Sequence, residues 1–155
     1  MNKLLRYVLY IIGGLILILY LVFRFGLNTI FGMTTSEEKI NKAFAQSDER
    51  PSFHSYEVEG LTMHYADIGA DSLPTIIFVH GSPGSWDAYI NYFQESSLVG
   101  SFRMIAMDRI GYGKSSKGKA NSSLVMQGKY IQPLFDLVPD DVPVILVGHS
   151  FGGPV

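Results

Sequence analysis

Three runs constrain what this chain can fold into. TIIFVH (75–80) and PVILVG (143–148) are almost continuously apolar and rich in β-branched residues, and FRMIAMD (102–108) is apolar between Arg103 and Asp108. A strand with one wet face alternates polar and apolar residues, whereas one buried on both faces does not. Between these runs, residues 85–98 and 122–138 carry apolar residues at helical spacing, with a bend or break expected near Pro133. Upstream, SFHSYEVE (52–59) and LTMHYADI (61–68) alternate on either side of Gly60, which reads as an antiparallel hairpin. The fold class is therefore α/β, a mostly parallel sheet covered on both faces with an antiparallel first hairpin.

The amino terminus obeys a different rule. Residues 7–23 (YVLYIIGGLILILYLVF) are 17 in a row without a charge. As a helix they span roughly 25 Å, against a hydrocarbon core of ~30 Å. Leu4 and Leu5 extend the stretch to residues 4–23, Arg6 can snorkel, and Tyr7, Tyr10, Tyr20, Phe23 and Phe25 place aromatics near both ends. A membrane anchor, a cleaved signal peptide and a buried core helix all fit such a run. The anchor is preferred, because the run outlasts a signal peptide's apolar region and Arg24-Phe25-Gly26 offers no small-x-small cleavage pattern. Lys3 and Arg6 ahead of the span favour an amino terminus inside and a body outside the cytoplasm. The expected organisation is an anchor helix over 1–26, a linker with a short helix over 27–52, and the body over 53–155. Within the linker segment, 27–36 is irregular, and Thr35 with Glu38 forms a capping box opening a helix over 37–46.

Beyond residue 26 the chain holds 9 Lys and Arg against 14 Asp and Glu. An acidic body without a basic block argues against nucleic acid as a partner. Cysteine is absent, which excludes disulfides, thiolate metal sites and a thiol nucleophile. No metal-ligand cluster is visible, and neither metal nor cofactor is expected.

Chemistry concentrates where strands end. Gly148-His149-Ser150-Phe151-Gly152 follows PVILVG directly and has the G-x-S-x-G form of a nucleophile elbow. There a serine sits at a sharp strand-to-helix turn, and glycines let strand and helix approach. Ser150 is the candidate nucleophile. His80-Gly81-Ser82-Pro83-Gly84 follows TIIFVH. In this setting the backbone N–H groups of Ser82 and Phe151 would be the oxyanion donors. His80 and His149 line the site or hold its loops. Asp108-Arg109-Ile110-Gly111-Tyr112-Gly113-Lys114-Ser115 begins at the end of FRMIAMD and is no phosphate loop, because Asp108 stands where that motif needs glycine. Asp108 is read as holding this loop by hydrogen bonds. Trp86, Tyr89 and Tyr112 suit an acyl pocket and core packing equally well, while His54 and His64 are read as packing residues of the hairpin.

HGSPG (80–84), DRIGYGKS (108–115) and GHSFGG (148–153), in that order, resemble the α/β-hydrolase family. The resemblance covers about residues 53–155. It implies an eight-stranded sheet with the elbow after strand five, and a catalytic acid and histidine later in the chain than the serine. Epoxide hydrolases and haloalkane dehalogenases look similar upstream but carry Asp at the elbow, whereas position 150 is Ser. The resemblance thus implies a serine hydrolase acting on a small-molecule acyl substrate: an ester, thioester, amide or lactone. Since neither acid nor histidine follows Ser150, the 155 residues read as the amino-terminal half of such an enzyme, inactive alone and with an exposed apolar edge at its last strand. A pseudoenzyme and a membrane-tethered binding module are the alternatives.

Overall fold

The computed structural model describes residues 2–31, 35–118 and 121–155, with the backbone alone for 25–31. The chain divides into two compact units, Met1–Gly32 and Met33–Val155. The first is one helix, α1 (Lys3–Phe31). Its stretch Lys3–Arg24 has a mean hydropathy of 2.2 and is long and apolar enough to cross a membrane. The helix corrects the linker expected over 27–36: with no proline after Gly26, adding a residue costs only its own ordering and gains one hydrogen bond, so it propagates through Phe31.

The second unit is built on five strands: β1 (Ser52–Val58), β2 (Leu61–Ile68), β3 (Thr75–Val79), β4 (Arg103–Met107) and β5 (Val144–Gly148). They form one mixed sheet of order β1-β2-β4-β3-β5, antiparallel from β1 to β4 and parallel across β4, β3 and β5. The hairpin is tighter than the alternating pattern suggested. Val58 faces Leu61, leaving Glu59 and Gly60 as a two-residue turn with φ of 51° and 72°. Both dihedrals are left-handed, as a type I′ turn requires.

Alternate residues of the central strands go to opposite faces. Ala66, Ile68, Ile76, Phe78, Met104 and Ala106 meet Phe44, Trp86, Tyr89 and Phe93 on one side. Met63, Tyr65, Ile77, Val79, Ile105 and Met107 meet Tyr130, Ile131 and Leu134 on the other. The first face is covered by α2 (Glu37–Ala43), a 3₁₀ turn (Trp86–Tyr89), α3 (Ile90–Phe93) and α4 (Ser96–Val99), so the helical stretch expected over 85–98 is three short pieces. The second is covered by α5 (Leu124–Phe135), which runs unbroken through Pro133. Proline there removes one N–H bond in the last turn, where the helix is about to end.

One cap differs in detail. Ser36, not Thr35, caps α2, its Oγ accepting from the Lys39 N–H at 3.2 Å. Thr35 is engaged elsewhere, donating its hydroxyl to the Asp87 carboxylate. Ser123 caps α5, and Asn121 accepts from the Ser123 N–H at 3.0 Å. Among the described residues β5 pairs only with β3, and Val144, Ile145 and Leu146 are 36%, 44% and 50% exposed, so this apolar strand forms the sheet's edge.

Candidate active site

The carboxyl ends of β3, β4 and β5 bring three loops together. At the end of β5, His149 is extended and donates its N–H to the Val79 carbonyl at 3.0 Å. Ser150 then has φ 53°, a left-handed conformation that a residue with a Cβ adopts only under local constraint. A single 3₁₀ turn, Ser150–Gly152, follows. The glycines are required by contact: a Cβ on Gly152 would stand 2.1 Å from the Val79 carbonyl oxygen, and one on Gly148 would stand 2.4 Å from the Gly152 oxygen. Both distances are far inside van der Waals contact, so strand and turn meet backbone to backbone. The Ser150 side chain is exposed at the turn.

The β3 loop abuts this turn. A Cβ placed on Gly81 would lie 3.0 Å from the Ser150 Cβ. The Ser82–Pro83 peptide is cis. Ser82 is exposed, and its Oγ lies 2.5 Å from the Tyr112 hydroxyl. His80 is fully buried and fixed at both ring nitrogens: Nδ1–H donates to the Gly81 carbonyl at 2.7 Å, and Nε2 accepts from the Arg109 N–H at 2.9 Å. Because one partner can only accept and the other only donate, the neutral tautomer is set. Burial pushes the His80 pKa below its ordinary value, and the bond to Gly81 offsets this only in part. Gly84 packs close to the same imidazole, a Cβ there falling 3.1 Å from Nδ1. His80 is therefore a latch between the β3 and β4 loops.

Asp108 has the structural role expected of it. Its Oδ1 accepts from the Trp86 N–H at 2.8 Å, and its Oδ2 accepts from the Lys114 N–H at 2.9 Å and lies 2.8 Å from His64 Nδ1. Burial raises the carboxyl's pKa, but His64 and the two backbone donors outweigh it and hold the pKa below the ordinary range. Gly113, at φ 51°, makes this closure possible, because a Cβ there would stand 2.1 Å from the carboxylate. The link between His64 on β2 and Asp108 was not visible in the hairpin's alternation, which marks His64 only as facing the sheet's interior.

Trp86 and Tyr89 belong to the core. Trp86 is 3% exposed, with its ring 5.1 Å from Phe53 and 6.0 Å from Phe93. Tyr89 packs on Phe78 and donates its hydroxyl to the Val79 carbonyl at 2.9 Å. Pocket roles for both are corrected by the turn's orientation, which lays its apolar side on the sheet. Tyr112 does line a cleft, of about 250 Å³, together with Ser82, Arg109, Ile110, Gln127 and Phe151. Sequence reasoning gave Arg109 no role. The available signal was its position directly after a buried strand, beside Asp108, at the sheet edge where the other two motifs also fall.

A sequence model of the alpha/beta hydrolase fold family matches residues 74–155. The chain belongs to this family. A haloalkane dehalogenase of Agrobacterium fabrum is 36% identical over 60% of this chain and 29% of its own length. Epoxide hydrolase 1 of Caenorhabditis elegans is 31% identical over 64% of this chain and 24% of its own length. The solved structure of a haloalkane dehalogenase from Agrobacterium tumefaciens superposes with a TM-score of 0.58 at 32% identity, covering 72% of this chain and 35% of that one. These relatives are hydrolases, and the chain spans roughly a quarter to a third of their length.

Proposed function

We propose that the body is the nucleophile-bearing part of a serine hydrolase acting on carboxylic esters, thioesters, amides or lactones. The observation that carries this reading is Ser150 at φ 53°, exposed at the turn after β5 and flanked by glycines that a Cβ would turn into clashes. Relatives named as dehalogenase and epoxide hydrolase belong to types that resemblance assigns an aspartate at this place. A serine here favours acyl transfer instead.

In the proposed reaction Ser150 Oγ attacks the acyl carbon, and its proton passes to a histidine base. The carbonyl electrons move onto oxygen, facing the N–H groups of Ser82 and Phe151. Collapse expels the alcohol, thiol or amine, which takes the proton from the histidine. Water then hydrolyses the acyl-serine. None of this chain's own histidines suits the base. His80 is occupied at both nitrogens, His64 is paired with Asp108, His54 Nε2 lies against Ser52 on β1, and His149 immediately precedes the nucleophile. The reading therefore assigns base and acid to residues outside these 155, and expects no turnover from this chain alone. Residues 4–23 are proposed as a single-pass anchor, with the body outside the cytoplasm.

A fluorophosphonate probe tests the nucleophile on the protein of the longer reading frame. Labelling that disappears in Ser150→Ala supports it. Wild-type protein that stays unlabelled while a known serine hydrolase reacts removes the enzyme reading and leaves a membrane-tethered binding module.

A further inference from the structure

Arg109 is 4% exposed, yet among the described residues no carboxylate pairs with it. The residues outside the description contain neither Asp nor Glu, so none of them supplies the counter-charge. Its protein acceptors are two backbone carbonyls, with Nη1 3.3 Å from the His80 oxygen and 3.5 Å from the Gly81 oxygen. Nε is buried without a partner. The neighbouring carboxylate, Asp108, is already engaged by His64, Trp86 and Lys114.

A buried cation without a counter-ion is expensive, and proteins normally pair it. Here the guanidinium borders the cleft, its carbon 4.6 Å from the Phe151 ring centroid and 5.7 Å from that of Tyr112. Aromatic faces attract the charge but supply no hydrogen-bond acceptor. The place is next to the nucleophile: Nη1 reaches Gly81, which abuts Ser150, and the ring under the guanidinium belongs to the residue after Ser150. A planar fork of donors suits a carboxylate or phosphate oxyanion.

Building on the hydrolase reading, we propose that Arg109 is the specificity residue of the acyl cleft and that the substrate is an ester which also carries an oxyanion, a carboxylate or a phosphate. The anion supplies the counter-charge that the fold withholds, and it aligns the ester carbonyl with Ser150.

Binding tests this without requiring turnover. The full chain, in nanodiscs of neutral phosphatidylcholine, is titrated calorimetrically with monobutyl glutarate, butyl phosphate and the neutral butyl methyl glutarate. One charge-assisted hydrogen bond in a desolvated cleft corresponds to a preference of about tenfold or more. The expected result is that at least one anion binds about tenfold more tightly than the neutral ester. Whichever anion binds more tightly identifies the oxyanion. In Arg109→Gln the ratio of anion to neutral-ester affinity falls to about one, which a purely structural role, weakening all three ligands alike, would not produce. Arg109→Lys retains part of the preference, and raising the salt weakens it in the wild type, a readout needing no variant. Equal affinity for all three ligands, or a preference that survives Arg109→Gln, overturns the proposal. Fluorophosphonate labelling of Ser150 is read separately: labelling without anion preference removes this inference alone, and preference without labelling removes only the hydrolase reading.

Discussion

Asp108 and Arg109 are adjacent, both buried and oppositely charged, yet their surroundings are opposites. The Asp108 carboxylate takes two backbone donors and an imidazole, tying β2, the Trp86 turn and the loop after β4 into one block. Arg109 faces a cleft with two long carbonyl contacts and an orphaned Nε. Ser150 sits on the same unsatisfied side with a strained backbone. The Asp108 carboxylate is matched within the fold, although His64 Nε2 behind it is buried without a partner, whereas the cleft side leaves a cationic donor unmatched next to the nucleophile. Strain and unsatisfied polarity persist at functional sites because the surrounding structure imposes them.

The sharpest way to break this contrast is Asp108→Ala. Removing one partner from a buried charged network should cost about 3–5 kcal/mol of stability in urea unfolding, and a loss below ~1 kcal/mol would mean that the scaffold side is no better paired than the cleft. Next is Gly152→Ala. Its Cβ meets the Val79 carbonyl, so the turn must shift at a cost of about 1–3 kcal/mol, with loss of phosphonate labelling in the longer protein. Ser150→Gly goes the other way. Relieving the left-handed φ should raise the thermal midpoint, by up to about 1 kcal/mol in stability, since glycine's larger unfolded-state entropy takes back part of the gain. Arg109→Met should leave stability at the wild-type value or raise it by up to about 1 kcal/mol, because it removes a buried cation that the fold does not pair. A large loss there would move Arg109 to the scaffold side.

The smallest effects are in pH. The folded-state pKa values of both His80 and Asp108 lie below their ordinary values, so each contributes stability that is complete above the ordinary value and drains away as pH falls toward the folded one. For His80 the loss begins below about pH 6.5, and for Asp108 below about 3.9. An unfolding free energy measured from neutral toward acid should decline first with the His80 contribution, and His80→Asn should flatten that first decline.

Much of the fold was readable because its signals are local. Continuous apolar runs mark β3, β4 and β5 as strands, and alternation marks β1 and β2. The motif positions of Gly148, Ser150 and Gly152 were readable for the same reason: a tight turn depends on residues adjacent in sequence. The misplacements share a cause too. Thr35 and Ser36 are equally good cap residues on paper, and only Asp87, distant in sequence, takes Thr35 away. Trp86 and Tyr89 have side chains fit for a pocket or a core, and only the direction of the turn after β3 sends them inward.

By itself, the sequence determined the period of each element, the α/β class, the apolar amino-terminal helix and the place of the serine turn, because backbone propensity and side-chain spacing act over a few residues. Only the tertiary structure decided which charges are matched. It set His64 of β2 against Asp108 after β4, locked His80 into one tautomer between two loops, and left Arg109 buried beside Ser150 without a carboxylate. Those facts depend on strand order and on which loops share one end of the sheet, and long-range pairing of that kind leaves no mark in local composition.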